Sequence, residues 1–267
     1  KVNFMPGFTE RTAGLIQDEK FMQCLCRKNQ GASGPSVPHV FHGSRKESSY
    51  RVLVLSYPKD FAFLCRSLEK LRKHLEPRGK KLEVWAAHGA GRESFVSACS
   101  NCTFELKDPG YLDQCSWDEF LTQMDVLFIR GEDSFARASL AGIPFIWNIY
   151  PQEGQYHLVK LQALHDRMEP FFSHAESNNG GSRLPARFSL LYNYSVKEEL
   201  CPEAQESAVP FGKLPSDQNA LNLELEELCT DFLLSAEELR PCFEEFSRYV
   251  RSLGNLTDHL IEFISRL

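Results

Sequence analysis

The sequence predicts an α/β fold, a Rossmann-like parallel sheet with helices on both faces, followed by C-terminal helices. Three observations carry that prediction. Short apolar runs alternate with helix-spaced stretches from Arg51 to about Met168, the order expected of successive βα units. The runs are apolar on both faces, as strands of a covered parallel sheet are. A hydrophobic content of 42% with 12% aromatics in 267 residues fits a packed globular chain.

Each element follows from its own residues. Pro6-Gly7-Phe8-Thr9 and Thr12-Ala13-Gly14-Leu15 precede a helix-like run to about Lys28, and residues 31–49 are a Gly-, Ser- and Pro-rich linker. Residues 51–57 form the first strand, and Phe61, Leu64, Cys65, Leu68, Leu71 and Leu75 give the next helix its inner stripe. Residues 82–87 form a second strand, closed by the turn His88-Gly89-Ala90-Gly91, which lacks the third glycine of a phosphate fingerprint. A brief helix at 92–98 leads to a strand at 103–106 and the turn Asp108-Pro109-Gly110-Tyr111. Ser116-Trp117-Asp118-Glu119 reads as a capping box for a helix through Met124. Strands at 126–129 and 144–150 flank a helix at 135–141, and a helix at 153–167 closes the unit. Residues 173–219 read as irregular, with a flexible turn at Asn178-Asn179-Gly180-Gly181. From 220 onward the pattern is helical, in three pieces broken near Ser235 and Gly254. The last piece has an apolar stripe (Leu256, Leu260, Ile261, Phe263, Ile264) that must cover something.

A net charge of −6 gives no reason to expect nucleic acid or a membrane surface as a partner. No apolar run approaches the ~18–20 residues that span a bilayer. The chain opens on Lys1 inside what reads as mid-protein sequence, so a piece of a longer protein is expected. Nine scattered cysteines fit reduced thiols in a cytoplasmic protein. Cys99-Ser-Asn-Cys102 has no second pair at zinc-finger spacing, and no metal is expected.

The chemistry concentrates at Ile129-Arg130-Gly131-Glu132-Asp133-Ser134-Phe135. A strand's carboxyl end followed by a helix N-terminus is where open α/β sheets bind ligands. Gly131 allows close approach, Ser134 and the free N–H groups can hold an anion, and Arg130 adds a fixed positive charge. The simpler reading is a capped helix with Asp133 or Ser134 as N-cap. Tyr57, Tyr111 and Gln114 fall at neighbouring strand ends, where an aromatic can stack on a base and an amide can read its edge. A nicotinamide-binding domain is disfavoured, because no Gly-x-Gly-x-x-Gly follows the strand ending at Leu55 or at Ile129.

Arg130-Gly131-Glu132-Asp133-Ser134-Phe135-x-Arg137-Ala138, with Pro144-Phe145-x-Trp147-x-Ile149-Tyr150-Pro151-Gln152 and His157-x-x-Lys160-Leu161, resembles the bacterial protein-arginine rhamnosyltransferases that modify translation elongation factor P. The opening Pro6-Gly7-Phe8-Thr9-x-x-Thr12-x-Gly14-Leu15 resembles that family's interdomain segment. The resemblance implies the C-terminal half of a GT-B glycosyltransferase. Residues 1–49 would be interdomain segment and linker, 50–195 the domain holding the donor dTDP-rhamnose, and 196–267 helices packing toward the N-terminal domain. It implies a donor site of Tyr57, Tyr111, Gln114, Arg130, Glu132, Asp133 and Ser134. In it Asp133 and Ser134 lie by the diphosphate, Tyr111 and Gln114 by the thymine, and Glu132 is the acidic residue needed for activity. It also implies an inverting displacement at the sugar's anomeric carbon, with elongation factor P as acceptor and no cofactor or metal. Asn148 stands where the family has His, and Tyr111-Leu112-Asp113-Gln114 replaces a Phe-x-Pro-Gln pattern. The family's Asp-Asn-x-Gly-Asp motif, which supports attack by the acceptor arginine, is not in this sequence. A non-catalytic nucleotide-sugar-binding or protein-interaction module derived from such an enzyme is therefore the alternative expectation.

Overall fold

Five parallel strands in the order β3-β2-β1-β4-β5 form the centre of the computed structural model, which describes residues 4–29, 48–172 and 183–266. They are β1 (Ser49–Val54), β2 (Lys81–Ala86), β3 (Glu105–Lys107), β4 (Val126–Arg130) and β5 (Phe145–Asn148). All of β1 and the first four residues of β4 are buried, so the apolar runs are central strands covered on both faces. β1 pairs with both β2 and β4, in the registers Val52–Val84 and Val52–Val126. The chain order therefore reverses between β1 and β4, which opens a crevice at their carboxyl ends. The expected five strands are all present, within a few residues of the predicted bounds.

The connecting helices are α2 (Ala62–Leu75), α3 (Arg92–Ala98), α4 (Gln114–Thr122) and α5 (Glu132–Ala141), preceded by α1 (Glu19–Asn29) and followed by α6 (His157–Phe172). Two predicted helix starts are corrected. Ser116 does not open α4: Asp113 is the N-cap, its carboxylate accepting from the Ser116 N–H at 2.8 Å. Likewise the cap of α5 is Gly131, not Asp133 or Ser134, which leaves the latter two inside the first turn.

Residues 173–219 are not wholly irregular. Among the described residues α7 (Leu184–Asn193) and α8 (Pro202–Ala208) are regular helices. α7 is buried on nearly every side, so its sequence shows no polar face to mark the period. The Asn178–Gly181 turn and residues 31–47 of the linker lie outside the described residues.

A continuous α9 (Gln218–Ser252) replaces two of the three predicted helical pieces. Its 35 residues pass Ser235 and Pro241 unbroken because buried side chains continue on both sides, from Leu221 through Phe232 to Phe243, Phe246 and Val250. Burying that stripe outweighs the roughly 3 kcal/mol a proline costs within a helix. α9 starts against α2, where Glu226 pairs with Arg66 and Lys70. It passes the amino edge of the sheet, where Arg240 donates to the Asp125 carbonyl at 3.0 Å, and ends on α5 with Ser247 donating to the Leu140 carbonyl at 2.6 Å. Residues 202–252 thus share one core with the sheet.

The predicted break near Gly254 is present, and α10 (Leu256–Ser265) follows with no buried residue. Ile261 and Ile264 of its apolar stripe are exposed. The N-terminal segment secures this corner. Gln17 donates to the carbonyls of Arg251 and Gly254, at and just beyond the end of α9, at 3.0 and 2.8 Å. Phe8 then packs 5.2 Å from Phe135 and 6.1 Å from Phe246, ring centre to ring centre.

Helix α5 is fixed by a buried ion pair. Arg137 Nε lies 2.5 Å from Asp118 of α4, with side chains 10% and 5% exposed, and its guanidinium lies 5.4 Å from the Phe21 ring of α1. Arg137→Ala leaves the Asp118 carboxylate buried and unpaired, and should cost about 3–5 kcal/mol in urea unfolding. The double change Asp118→Leu/Arg137→Met should recover most of that loss, because neither charge remains to be desolvated.

Candidate functional site

Loops 55–61, 87–91, 108–113 and 149–156, with Gly131, surround the crevice at the carboxyl ends of the strands. Gly131 has φ +76° and ψ 157°, a conformation costly for any other residue, and it turns β4 directly into α5. A side chain added there would meet nothing within 4 Å, so the start of α5 faces open space. The N–H groups of residues 132–134 precede the first helical bond, made by the Phe135 N–H to the Gly131 carbonyl. They carry the positive end of the helix dipole. Phe135 holds this turn in place by stacking on Trp147 of β5, with centroids 4.0 Å apart and planes 9° apart.

Arg130 ends β4 beside that turn. Its Nε is buried and, among the described residues, has no hydrogen-bond partner. The guanidinium carbon lies 5.1 Å from the centre of the Tyr57 ring, and Tyr57 meets Tyr150 edge to face at 5.6 Å. Gly89 makes room for the guanidinium, since a β-carbon there would fall 2.8 Å from an Arg130 terminal nitrogen. The structure therefore gathers Tyr57, Arg130 and the 131–134 turn into one group and adds Tyr150 and Gly89.

The remaining marked residues are placed differently. Tyr111 is 89% exposed and stacks on His88, with centroids 4.3 Å apart. His88 is held by Asp108 at 2.9 Å, and Asp108 also accepts from Arg92 and the Gly110 N–H. The result is an exposed aromatic shelf beyond β2 and β3. Gln114 donates its amide to Asp118 at 2.8 Å, four residues along its own helix. Asp133 accepts from Arg137 at 3.0 Å, so one buried arginine ties Asp133, Asp118 and, through Asp118, Gln114 together. Glu132 is exposed and, among the described residues, has no side-chain partner.

A buried polar network under the crevice went unread in the sequence. Asn148 accepts from Ser56 Oγ at 2.6 Å and from the Tyr57 N–H at 2.9 Å, and donates to Asn193 at 3.2 Å. Asn193 accepts from the Ile149 N–H and donates to the carbonyls of Trp147 and Ser189. His157 accepts from the Gln152 N–H and bonds the Asn193 carbonyl; burial keeps its imidazole below its usual pKa and neutral. These bonds fix the backbone on either side of Tyr57 and Tyr150. Strand ends at Ser56 and Asn148 were visible in the sequence, but their α7 partner was not.

Lys59 lies in a pocket of about 450 Å³ that Tyr57, Asn148 and Tyr192 also line. Its Nζ donates to the Tyr192 carbonyl and sits 3.6 Å from the centre of that ring. Another pocket, of about 460 Å³ between α6 and α7, contains none of the sequence-marked residues.

A five-stranded parallel sheet whose chain order reverses between β1 and β4 defines a Rossmann-type domain. Comparison with known proteins narrows the class to a family. The family profile described as Elongation-Factor P (EF-P) rhamnosyltransferase EarP matches residues 1–265, and the chain belongs to that family. The protein-arginine rhamnosyltransferase of Shewanella oneidensis is 59% identical over 181 residues, covering 61% of this chain and 44% of the relative. That of Pseudomonas aeruginosa is 29% identical over 172 residues, 61% of this chain and 45% of the relative. The chain thus spans about half the length of these curated relatives. A solved structure described as the structural basis for EarP-mediated arginine glycosylation of translation elongation factor EF-P matches with a TM-score of 0.58 and 14% identity. That match covers 100% of this chain and 76% of the other, so the two share a fold.

Burial lowers the Lys59 amine to about 7 from the ordinary 10.5. Between those values the unfolded chain binds a proton that the folded chain does not, so this group makes stability rise with pH across the window. Lys59→Met should therefore stabilise the protein more at pH 7 than at pH 10 in paired urea titrations. An equal change at both values would contradict a desolvated ammonium.

Proposed function

We propose that this chain binds dTDP-rhamnose at the carboxyl edge of its sheet and supplies the donor side of rhamnosyl transfer to an arginine of elongation factor P. The observation that carries this reading is the buried, unpartnered Arg130 Nε beside the free N-terminus of α5. A buried donor without an acceptor costs about 1–3 kcal/mol, and more when charged, so a site built this way is completed by an anion. A diphosphate fits, with one phosphate on Arg130 and the other on the N–H groups of Asp133 and Ser134. Tyr111 on its His88 shelf offers a face for the thymine, and Tyr57 closes the side toward the sugar. Gln114 and Asp133 serve the site through the Arg137–Asp118 pair.

In the step itself a guanidinium nitrogen of the acceptor attacks the anomeric carbon from the face opposite the diphosphate. The carbon–oxygen bond breaks, and dTDP leaves with the electron pair. Arg130 and the α5 dipole stabilise the charge that develops on the leaving oxygen, a role that needs no metal at this position. The attacking nitrogen must lose a proton, and a guanidinium holds its proton tightly in water. Glu132, exposed at the start of α5, is the carboxylate this chain offers for orienting the acceptor. A base carried elsewhere in the family's longer chains would share that work. The reaction belongs in the cytoplasm, where the nine scattered cysteines of the sequence would stay reduced.

Calorimetry with dTDP tests the binding half. Arg130→Ala should weaken dTDP at least tenfold, whereas equal affinity for both proteins would overturn the site. The transfer half is read from the mass of elongation factor P after incubation with dTDP-rhamnose. With the intact protein, addition of one deoxyhexose supports the enzyme, and no addition favours the non-catalytic module. If transfer occurs, Glu132→Gln should abolish it while keeping dTDP affinity within about threefold, roughly 0.6 kcal/mol.

A further inference from the structure

Away from the crevice, three thiols converge between α2 and the end of α3. Cys65 lies in the first turn of α2, its N–H bonded to the Phe61 carbonyl at 2.9 Å. Cys99 caps α3, and a 3-10 turn brings Cys102 back toward it, with the Cys102 N–H 2.9 Å from the Cys99 carbonyl. All three sulfurs lie within 4.8 Å of one another, and Cys65 and Cys99 are 3.2 Å apart. Cys65 and Cys99 are 5% and 6% exposed, while Cys102 is half-buried and opens the cluster to solvent. The Glu69 carboxylate holds the following segment by accepting from the N–H groups of Thr103 and Phe104 and from the Thr103 hydroxyl.

We propose that Cys65, Cys99 and Cys102 form a binding site for a thiophilic divalent cation of the zinc type, with a water from the Cys102 side as fourth ligand. Three thiolates at the ~2.3 Å of a zinc–sulfur bond in a tetrahedral site stand about 3.8 Å apart. The Cys65–Cys99 pair has only to part by about 0.6 Å to reach that spacing, and the other two pairs lie within 4.8 Å. The Cys-x-x-Cys turn supplies two ligands at a spacing common in zinc sites, and α2 supplies the third from 34 residues away. Binding releases the thiol protons to solvent and leaves three thiolates on one dication, with no change of oxidation state.

A disulfide is the competing use of these sulfurs, but any one bond among the three strands a third cysteine beside it, whereas a single ion engages all three. The bound ion would join the first turn of α2 to the end of α3, helices that already meet through Phe61 and Phe95 at 5.3 Å. Its role is structural and independent of the donor reading.

The test is anaerobic titration of the reduced, metal-free protein with Co²⁺. One equivalent should bind, with thiolate-to-cobalt charge transfer and the d–d bands of a tetrahedral site, and Zn²⁺ should displace it and raise the thermal midpoint by several degrees. Cys99→Ser and Cys102→Ser should lose the bands, while Cys26→Ser and Cys115→Ser, at exposed cysteines, should keep them. Cys102→Ser decides the matter should Cys99→Ser fail to fold, since position 102 is half-exposed. Absence of thiolate bands in the folded protein, or bands that survive Cys102→Ser, would overturn the proposal.

Discussion

A guanidinium Nε buried without an acceptor is unfavourable in any folded protein, and Arg130 places one at the carboxyl edge of this sheet. Arg130 leaves β4 with its Nε shielded from water, Tyr57 on one side and the bare backbone of Gly89 on the other. Among the described residues no group accepts from that Nε. Every other device at this edge keeps it so: the Phe135–Trp147 stack sets the start of α5, and the Asn148–Asn193 network fixes the loops on either side. The uncompensated donor is the feature on which the proposed diphosphate site rests.

The contrast with Arg137, seven residues on, shows how one short motif divides its labour. Arg137 is also buried, but it is fully engaged by Asp118 and Asp133 and by the ring of Phe21. It joins α1, α4 and α5 and thereby sets where the first turn of α5 points. Asp133 is partnered by this arginine, so its charge is partly offset where a diphosphate would approach. The two arginines look equivalent in sequence. Their difference is position: one ends a strand at the crevice, and the other faces the interior one turn into a helix.

Much of this was legible in the chain. β1, β2, β4 and β5 declare themselves because each is an apolar run too short and too evenly buried to be anything but a covered strand. Residues 129–135 stood out because a strand end, a glycine and a helix start coincide there. The sequence misled where tertiary contacts decide. Pro241 and Ser235 look like helix breaks, yet α9 continues because its stripe is buried against α2, α7, α6 and α5. α7 was invisible because a helix buried all round has no period to read, and with it went Asn193, Tyr192 and the support of the crevice. The Cys65 partner of the Cys-x-x-Cys pair was hidden for the same reason, its closeness being a product of α2 lying on α3.

The most direct measurement is the structure of this protein crystallised with dTDP. Diphosphate oxygens within about 3.2 Å of Arg130 Nε and of the N–H groups at 133 and 134 are predicted. The thymine should lie on the Tyr111 shelf. A nucleotide seated elsewhere, with Arg130 Nε still unpartnered, would contradict the account.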